Sequence, residues 1–419
     1  MTQAGSRFRV PMIARSRTES HRASSPLELL FDLTFVVAIA QIAAQLAHSI
    51  AEGHVRDDLV PFAMVFFAIW WAWMNFTWFA SAYDTDDVPY RVLTMVQMGG
   101  VLVLAAGVPT AFASDNFTAA TVGYLIMRVG LVAQWVRAAI ENPEGRATAL
   151  RYAVGITVVQ VGWLLRLAIP ESLLVVSFAV LVVLELAVPL WAARKGEPAW
   201  HPHHIAERYG LFTIIVLGES VLAANTGVQA ALQNTGVSGE LVVIASCALV
   251  LLFALWWLYF LEPAGEGLST QRSWSYYWGY GHYGVFAALA ALGAGLEVAV
   301  EYTGHHLEVS PTVVSFGVAV PVSLFLVLLW GIHVPVVKRL VIRPAAGVVL
   351  LLPLAAPVIG VSAEVVAIAL VAVAVIVLTV IQQAGRRVDA SGETVVSAGD
   401  ATRGNGPAHD KKRGEGSEK

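Results

Sequence analysis

Between Glu207 and Ser220 the chain reads E-R-Y-G-L-F-T-I-I-V-L-G-E-S, and its second carboxylate, Glu219, lies deep inside an apolar run. A dozen helical residues at about 1.5 Å each put Glu219 about 18 Å above Glu207, past the middle of a hydrocarbon layer about 30 Å thick. An acid at that depth needs a partner, water or a proton. It reads either as a proton- or cation-binding group or as a protonated glutamic acid that hydrogen-bonds across helices. On a helical wheel Phe212, Ile215, Glu219, Ala223 and Thr226 share a face, where the small residues permit close helix approach.

Other ionisable residues fall in similarly apolar surroundings. Arg128, in G-Y-L-I-M-R-V-G, is midway along a span and has Glu185, Asp32 and Glu219 as candidate partners, since a lone membrane-centre arginine is almost always paired or solvated. Glu28 and Asp32 stand on one face near a helix N-terminus, where the macrodipole favours negative charge. The adjacent Glu207 and Arg208 are capable of ion pairing. His282, in G-Y-G-H-Y-G-V-F, is suited by its titration range to relay protons, or else is a hydrogen-bonded interfacial histidine. The segment H-P-H-H-I-A-E-R offers His201, His203, His204 and Glu207 as potential transition-metal donors. Its spacing matches no zinc signature and Pro202 interrupts an i, i+4 helical arrangement, so no metal site is expected. His305, His306 and Glu308 read as a solvated loop, and the single cysteine, Cys247, as a packing residue that leaves no disulfide framework.

The elements that carry these residues are transmembrane helices. Of 419 residues 57% are hydrophobic and only 13% charged, against about 25% charged in ordinary soluble domains. Apolar runs of about 18 to 24 residues recur, each bounded by charges, Pro or Gly. The fold class is therefore all-α, a polytopic integral membrane protein with about twelve spans. They are expected at roughly Glu28 to Ile50, 59–80, 91–113, 119–141, 148–168 and 171–193, then 207–227, 239–261, 275–298, 311–333, 337–357 and 362–383. No cleavable signal peptide is expected: an Arg-rich polar tail over 1–25 precedes a run long enough to remain as a span. A first six-helix half over 26–193, a linker over 194–206, a second half over 207–384 and a disordered tail over 385–419 complete the division.

Lysine and arginine placement sets the orientation. With both termini cytoplasmic, Arg91, Arg137, Arg146, Arg151, Arg194, Lys195, Arg208, Arg272, Lys338, Arg339 and Arg343 lie inside, and only Arg56 and Arg166 outside. A weak internal repeat matches Glu28 with Glu207, Thr34 with Thr213, Gln41 with Glu219, Trp70-Trp71 with Trp256-Trp257, and Gln97 with His282. It suggests two parallel six-helix repeats related by an axis along the membrane normal. Trp274, Tyr276, Tyr277, Trp278, Tyr280 and Tyr283 read as an interfacial aromatic belt, with Gly279, Gly281 and Gly284 allowing close packing or a helix break. Pro321 is expected to interrupt the tenth span, and Pro353 and Pro357 the eleventh.

Together E-L-L-F-D-L-T-F-V-V-A-I-A-Q, H-H-I-A-E-R-Y-G-L-F-T-I-I-V-L-G-E-S, W-W-L-Y-F and the G-H of the ninth span resemble the bacterial low-temperature-requirement A (LtrA) family, from about Ser25 to the last span. The resemblance implies a multi-spanning membrane protein of no established substrate or reaction. It points to Glu28, Asp32, His204, Glu207, Arg208, Gly218, Glu219 and His282 as family-level positions with roles unassigned.

No phosphate-binding loop of the G-x-x-x-x-G-K-[ST] type, no G-x-S-x-G elbow and no H-E-x-x-H occurs, which argues against an ATP-driven pump in one chain and against common hydrolase designs. The leading expectation is a proton-coupled secondary transporter or permease of the inner (plasma) membrane for a small solute. Glu219 is its coupling acid, Arg128 and Glu185 set the cavity charge, and Asp32, Glu207, Arg208 and His282 form an inner network. The alternatives are a structural or regulatory membrane protein of cold adaptation, and an intramembrane enzyme acting on lipid with Glu219 and His282 as acid and base. The expected partners are the lipid bilayer and a small-molecule or proton ligand, with no nucleic acid and no cofactor.

Overall fold

The computed structural model describes residues 8–16, 19, 23–261, 264–304, 307, 309–336, 360–377 and 380–381. It is all-helical among these residues, and ten helices are long and apolar enough to cross a membrane. In chain order the helices are α1 (Pro26–Ala51), α2 (Val55–Tyr83), α3 (Val88–Ala106), α4 (Val108–Ser114), α5 (Thr118–Glu141), α6 (Arg146–Arg166), α7 (Leu174–Ala193), α8 (Pro202–Thr235), α9 (Gly239–Phe260), α10 (Ala264–Thr270), α11 (Ser275–Glu301) and α12 (Pro311–His333). A shorter apolar helix, α13, covers Val361–Val377 and marks the start of the expected twelfth span. The expected eleventh span with Pro353 and Pro357, the group His305, His306 and Glu308, and the tail over 385–419 lie outside the described residues.

Several helices start where a side chain satisfies a free N–H group of the first turn. Ser25 caps α1 in a reciprocal capping box: the Glu28 amide donates to the Ser25 hydroxyl, and the Ser25 amide donates back to the Glu28 carboxylate at 2.8 Å. Asp87 caps α3, Ser238 caps α9 and Ser310 caps α12. His201 caps α8, and Pro202 occupies its first turn. A proline there lacks only an N–H that would have no helical partner, so Pro202 opens the helix instead of interrupting it, and α8 begins inside the expected linker. Pro321 likewise fails to break its span, since α12 runs continuously through it.

α2 is the central helix. Trp70, Trp71 and Trp73 on it are among the largest fully buried side chains, and Trp73 stacks on Phe212 of α8 at 4.1 Å between ring centroids. The sequence pairs Trp70-Trp71 with Trp256-Trp257, but the latter are 44% and 50% exposed on the outside of α9. In a bilayer those faces meet lipid, so the matching dipeptides serve different surfaces. The aromatic belt divides in the same way. Trp274 and Tyr277 are exposed, whereas Trp278 is buried and Tyr283 donates to the Ala63 carbonyl at 2.9 Å.

α1 packs on α2 and α3, and α3 on α5; α8 packs on α9 and α11, and α11 on α12. Small residues allow the closest approaches. A Cβ on Gly295 of α11 would lie 2.0 Å from the Gly317 carbonyl oxygen of α12, and one on Gly284 would lie 2.6 Å from Leu328. The N-terminal arginine-rich segment is also engaged. Met12 is fully buried, its amide donates to Glu141 at 2.7 Å, the Val10 amide donates to Asp87 at 2.8 Å, and Arg15 pairs with Glu19 and Asp84.

Candidate functional site

The ionisable residues singled out in the sequence form three groupings inside the bundle, which differ in whether a cation faces the acid; Glu364 of α13 is a further fully buried carboxylate. The first joins α1 to α8. Arg208 donates through Nε to Asp32 at 3.1 Å and through Nη2 to the other Asp32 oxygen at 2.5 Å, while its Nη1 stands 3.0 Å from Glu28. His204 Nε2 is 3.1 Å from the same Glu28 oxygen, and the Trp73 indole donates to Asp32 at 2.7 Å. Glu28, Asp32, His204 and Arg208 are all fully buried. The i, i+4 spacing of Glu28 with Asp32, and of His204 with Arg208, puts each pair on one helix face, so two faces mate as a charge-complementary seam. Glu28 thus serves both the cap and the ion pair.

Glu207 does not enter this seam. It faces outward from α8 and accepts the Ser24 amide at 3.1 Å. His282 also stands apart. Its Nδ1 is 2.7 Å from the Trp278 carbonyl and its Nε2 is 3.0 Å from the Tyr259 hydroxyl, which makes Nδ1 the donor and leaves Nε2 to accept. The expected network of Asp32, Glu207, Arg208 and His282 therefore resolves into one ion-pair seam, one surface carboxylate and one separately bonded imidazole.

The second grouping lies among α2, α5, α6 and α7. Glu185 accepts from Trp71 Nε1 at 2.8 Å, the Tyr124 hydroxyl at 2.8 Å and Trp163 Nε1 at 3.1 Å. Arg128 stands 3.7 Å from the same carboxylate, donates to the Tyr124 hydroxyl and lies over the Tyr124 ring. Of the three acids open to Arg128, the fold selects Glu185. Of the neutral donors that complete the site, Trp71 was noted in the sequence only as part of a repeated dipeptide and Tyr124 and Trp163 were not singled out, because indoles and phenols in apolar runs look like ordinary core residues.

Glu219 is the third, and it differs. It is 8% exposed, and among the described residues it has neither a cation nor a hydrogen-bond donor as partner. Its neighbour Ser220 donates to the Leu289 carbonyl of α11 at 3.1 Å, placing Glu219 at the seam of α8 and α11. Farther along α11, Glu297 comes within electrostatic reach of Glu219, a charge of the same sign. Glu297 escapes the sequence reading because a span drawn to 298 makes it an end residue; α11 runs to Glu301. The ring of His282 packs on Tyr209 at 4.8 Å between centroids. Glu219 lies ten helical residues beyond Tyr209, about 15 Å farther along α8, so no acid–base pair forms between them.

At the end of the bundle where the N-terminal segment packs, Asp87 in the α2–α3 connection receives Arg137 through Nη1 at 2.8 Å and Nη2 at 2.6 Å, and the amides of Val10 and Tyr90. Burial works to raise its pKa, but these donors outweigh burial and hold the carboxyl below its ordinary value.

Comparison with known proteins places these residues in a family context. No solved structure matches the chain. A Rhizobium meliloti (strain 1021) protein described as "Uncharacterized protein RA0937" is 27% identical over 308 residues, covering 69% of this chain and 73% of that protein. The family model described as "Bacterial low temperature requirement A protein (LtrA)" matches residues 23–380, which takes in the α1–α8 seam, Arg128, Glu185, Glu219 and His282. The chain belongs to the bacterial low temperature requirement A family of multi-spanning membrane proteins.

Proposed function

We propose that this protein is a proton-coupled secondary transporter for a small solute, with Glu219 as the acid that exchanges the proton. The observation that carries this reading is the lone position of Glu219. Glu28 and Asp32 share the cation Arg208, with His204 beside Glu28, and Glu185 faces Arg128. Glu219 has no cation partner among the described residues and has Glu297 in electrostatic reach, and a carboxyl in such a place is most cheaply kept neutral by a proton. The groupings with a cation act as struts: the Arg208 seam fixes α1 against α8, and the Glu185 cluster ties α2, α5, α6 and α7 together.

The packing α1 with α2 and α3, then α3 with α5, recurs as α8 with α9 and α11, then α11 with α12. This supports two parallel halves meeting at the α1–α8 seam, a common arrangement in secondary transporters. Charge placement supports an inner-membrane location with cytoplasmic termini. A structural role in cold adaptation is favoured by the internally paired seams and opposed by Glu219.

The test is reconstitution of the wild type and Glu219→Gln into liposomes loaded with a pH-sensitive dye, with pools of small metabolites added outside. Solute-driven proton flux is expected in the wild type and lost in a folded, inserted Glu219→Gln protein. Flux of equal size and pH dependence in the mutant would overturn the assignment.

A further inference from the structure

Arg166 ends α6 at the far end of the bundle from the N-terminus, and unlike Arg128, Arg137 and Arg208 it has no counter-charge among the described residues. It is 6% exposed, and its Nε and Nη2 are buried without a hydrogen-bond partner. Arg128, Arg137 and Arg208 each stand within ion-pair distance of a carboxylate, while Arg166 does so with none among the described residues. Its guanidinium is instead held among the rings of Phe117, Trp163 and Phe178, 5.4, 5.9 and 5.6 Å from their centroids. Cation–ring attraction of this kind positions the group but supplies no acceptor for its N–H donors.

Arg166 also lines two cavities. One, of about 710 Å³, is walled by Ser114, Asn116, Thr118, Ser177 and the Asp115 carboxylate. The other, of about 40 Å³, shares Phe117 and Arg166 with it and leads inward to Tyr124 and Trp163, both of which donate to Glu185. The inner space is large enough only for water-sized occupants, so a ligand must sit in the outer one.

Nε and Nη2 are enclosed, so the donor of Arg166 left accessible is Nη1, which has no acceptor among the described residues either. A charged N–H donor of this kind recognises an oxyanion through a charge-assisted hydrogen bond. We infer that Arg166 is the anchor of an oxyanion-binding site in the 710 Å³ vestibule, taking a phosphate or carboxylate group carried either by a free solute or by a phospholipid headgroup. The site lies in the first half of the chain and does not depend on the role proposed for Glu219. Asp115 on the wall disfavours highly charged ligands and so narrows the choice toward singly charged groups.

The test uses full-length protein in a neutral detergent, stripped of phospholipid. Thermal unfolding is followed with added sodium phosphate, sodium acetate or phosphatidylglycerol, against sodium chloride at matched ionic strength. In the wild type the midpoint is expected to rise with one of these probes, because a ligand bound only to the folded state stabilises it. A response to phosphate or acetate identifies a free-solute site, and a response to phosphatidylglycerol alone a lipid site. Arg166→Gln is expected to lose the response while keeping its ligand-free midpoint, since no counter-charge is orphaned. Arg166→Lys retains charge but replaces the planar group held among the three rings by a shorter, compact ammonium, and is expected to need at least several-fold more ligand. If Arg166→Gln fails to fold, Arg166→Lys decides: a weakened response supports the site and an unchanged one overturns it. No response of the wild type to any probe, or equal responses in wild type and Arg166→Gln, also overturns it.

Discussion

Replacing Arg208 by methionine removes the only guanidinium between two fully buried carboxylates. Four contacts vanish: two to Asp32 at 3.1 and 2.5 Å, one to Glu28 at 3.0 Å and one to the Thr77 hydroxyl at 3.4 Å. Methionine fills much of the volume, so the loss is electrostatic in origin. Breaking a buried pair by deleting one partner costs about 3–5 kcal/mol, because the remaining charge is left without compensation. Against a total stability of about 5–15 kcal/mol, that is a large part of what holds a domain folded. The triple variant Glu28→Gln, Asp32→Asn, Arg208→Met removes every formal charge of the pair system and keeps the shapes. The Trp73 indole, 2.7 Å from Asp32, can still donate to an asparagine oxygen there. The triple variant is therefore expected to recover most of the loss and end within about 1–2 kcal/mol of wild type, as replaced buried ion pairs often do. The assay is equilibrium unfolding in mixed micelles read by tryptophan fluorescence, with Trp73 as the nearest reporter. A single variant within about 1 kcal/mol of wild type, or a triple variant as unstable as the single one, would refute the assignment of this seam as an ion-paired strut.

Three further outcomes are expected. Glu219→Gln should fold like the wild type and lose solute-driven proton flux, and it should also resist the carbodiimide modification that a protonated intramembrane carboxyl undergoes; labelling undiminished in the mutant would point to another acid. Gly295→Ala, whose new Cβ would lie 2.0 Å from the Gly317 oxygen, should cost about 1–3 kcal/mol of stability through overpacking, while Gly218→Ala, with nothing within 4 Å of its Cβ, should be near neutral; equal effects in a thermal-unfolding comparison would refute the close α11–α12 approach. Because the folded-state pKa of Asp87 is held below its unfolded value, its contribution to stability is full above about pH 4 and is lost as pH falls through the folded value. Asp87→Asn should abolish that acid-side contribution and release the segment held at Val10 and Arg137; unchanged tryptic cleavage at Arg9 and Arg15 would count against this role.

All ten long helices were legible in the sequence, though not their exact ends. A helix in lipid must satisfy its own backbone hydrogen bonds, so its existence depends on local apolar length and little else. Its ends were less legible, because Pro202 and Glu301 extend helices past the charges that mark an interface in sequence. The ionisable residues that matter were also visible, since an Arg or Glu inside an apolar run stands out by its cost.

Only the tertiary structure decided which charges meet. Arg208 reaches Asp32 across 176 residues, Arg128 takes Glu185 over Asp32 or Glu219, and His282 is bonded to Tyr259. Helical spacing sets which residues share a face but not which face the next helix presents. The same limit separates Trp70-Trp71, enclosed by the bundle, from the identical dipeptide Trp256-Trp257 on its outside. Glu219 was conspicuous from its depth alone. That neither it nor Arg166 has a counter-charge among the described residues depends on partners that come close only when the chain is folded, because pairing is a property of neighbours in space.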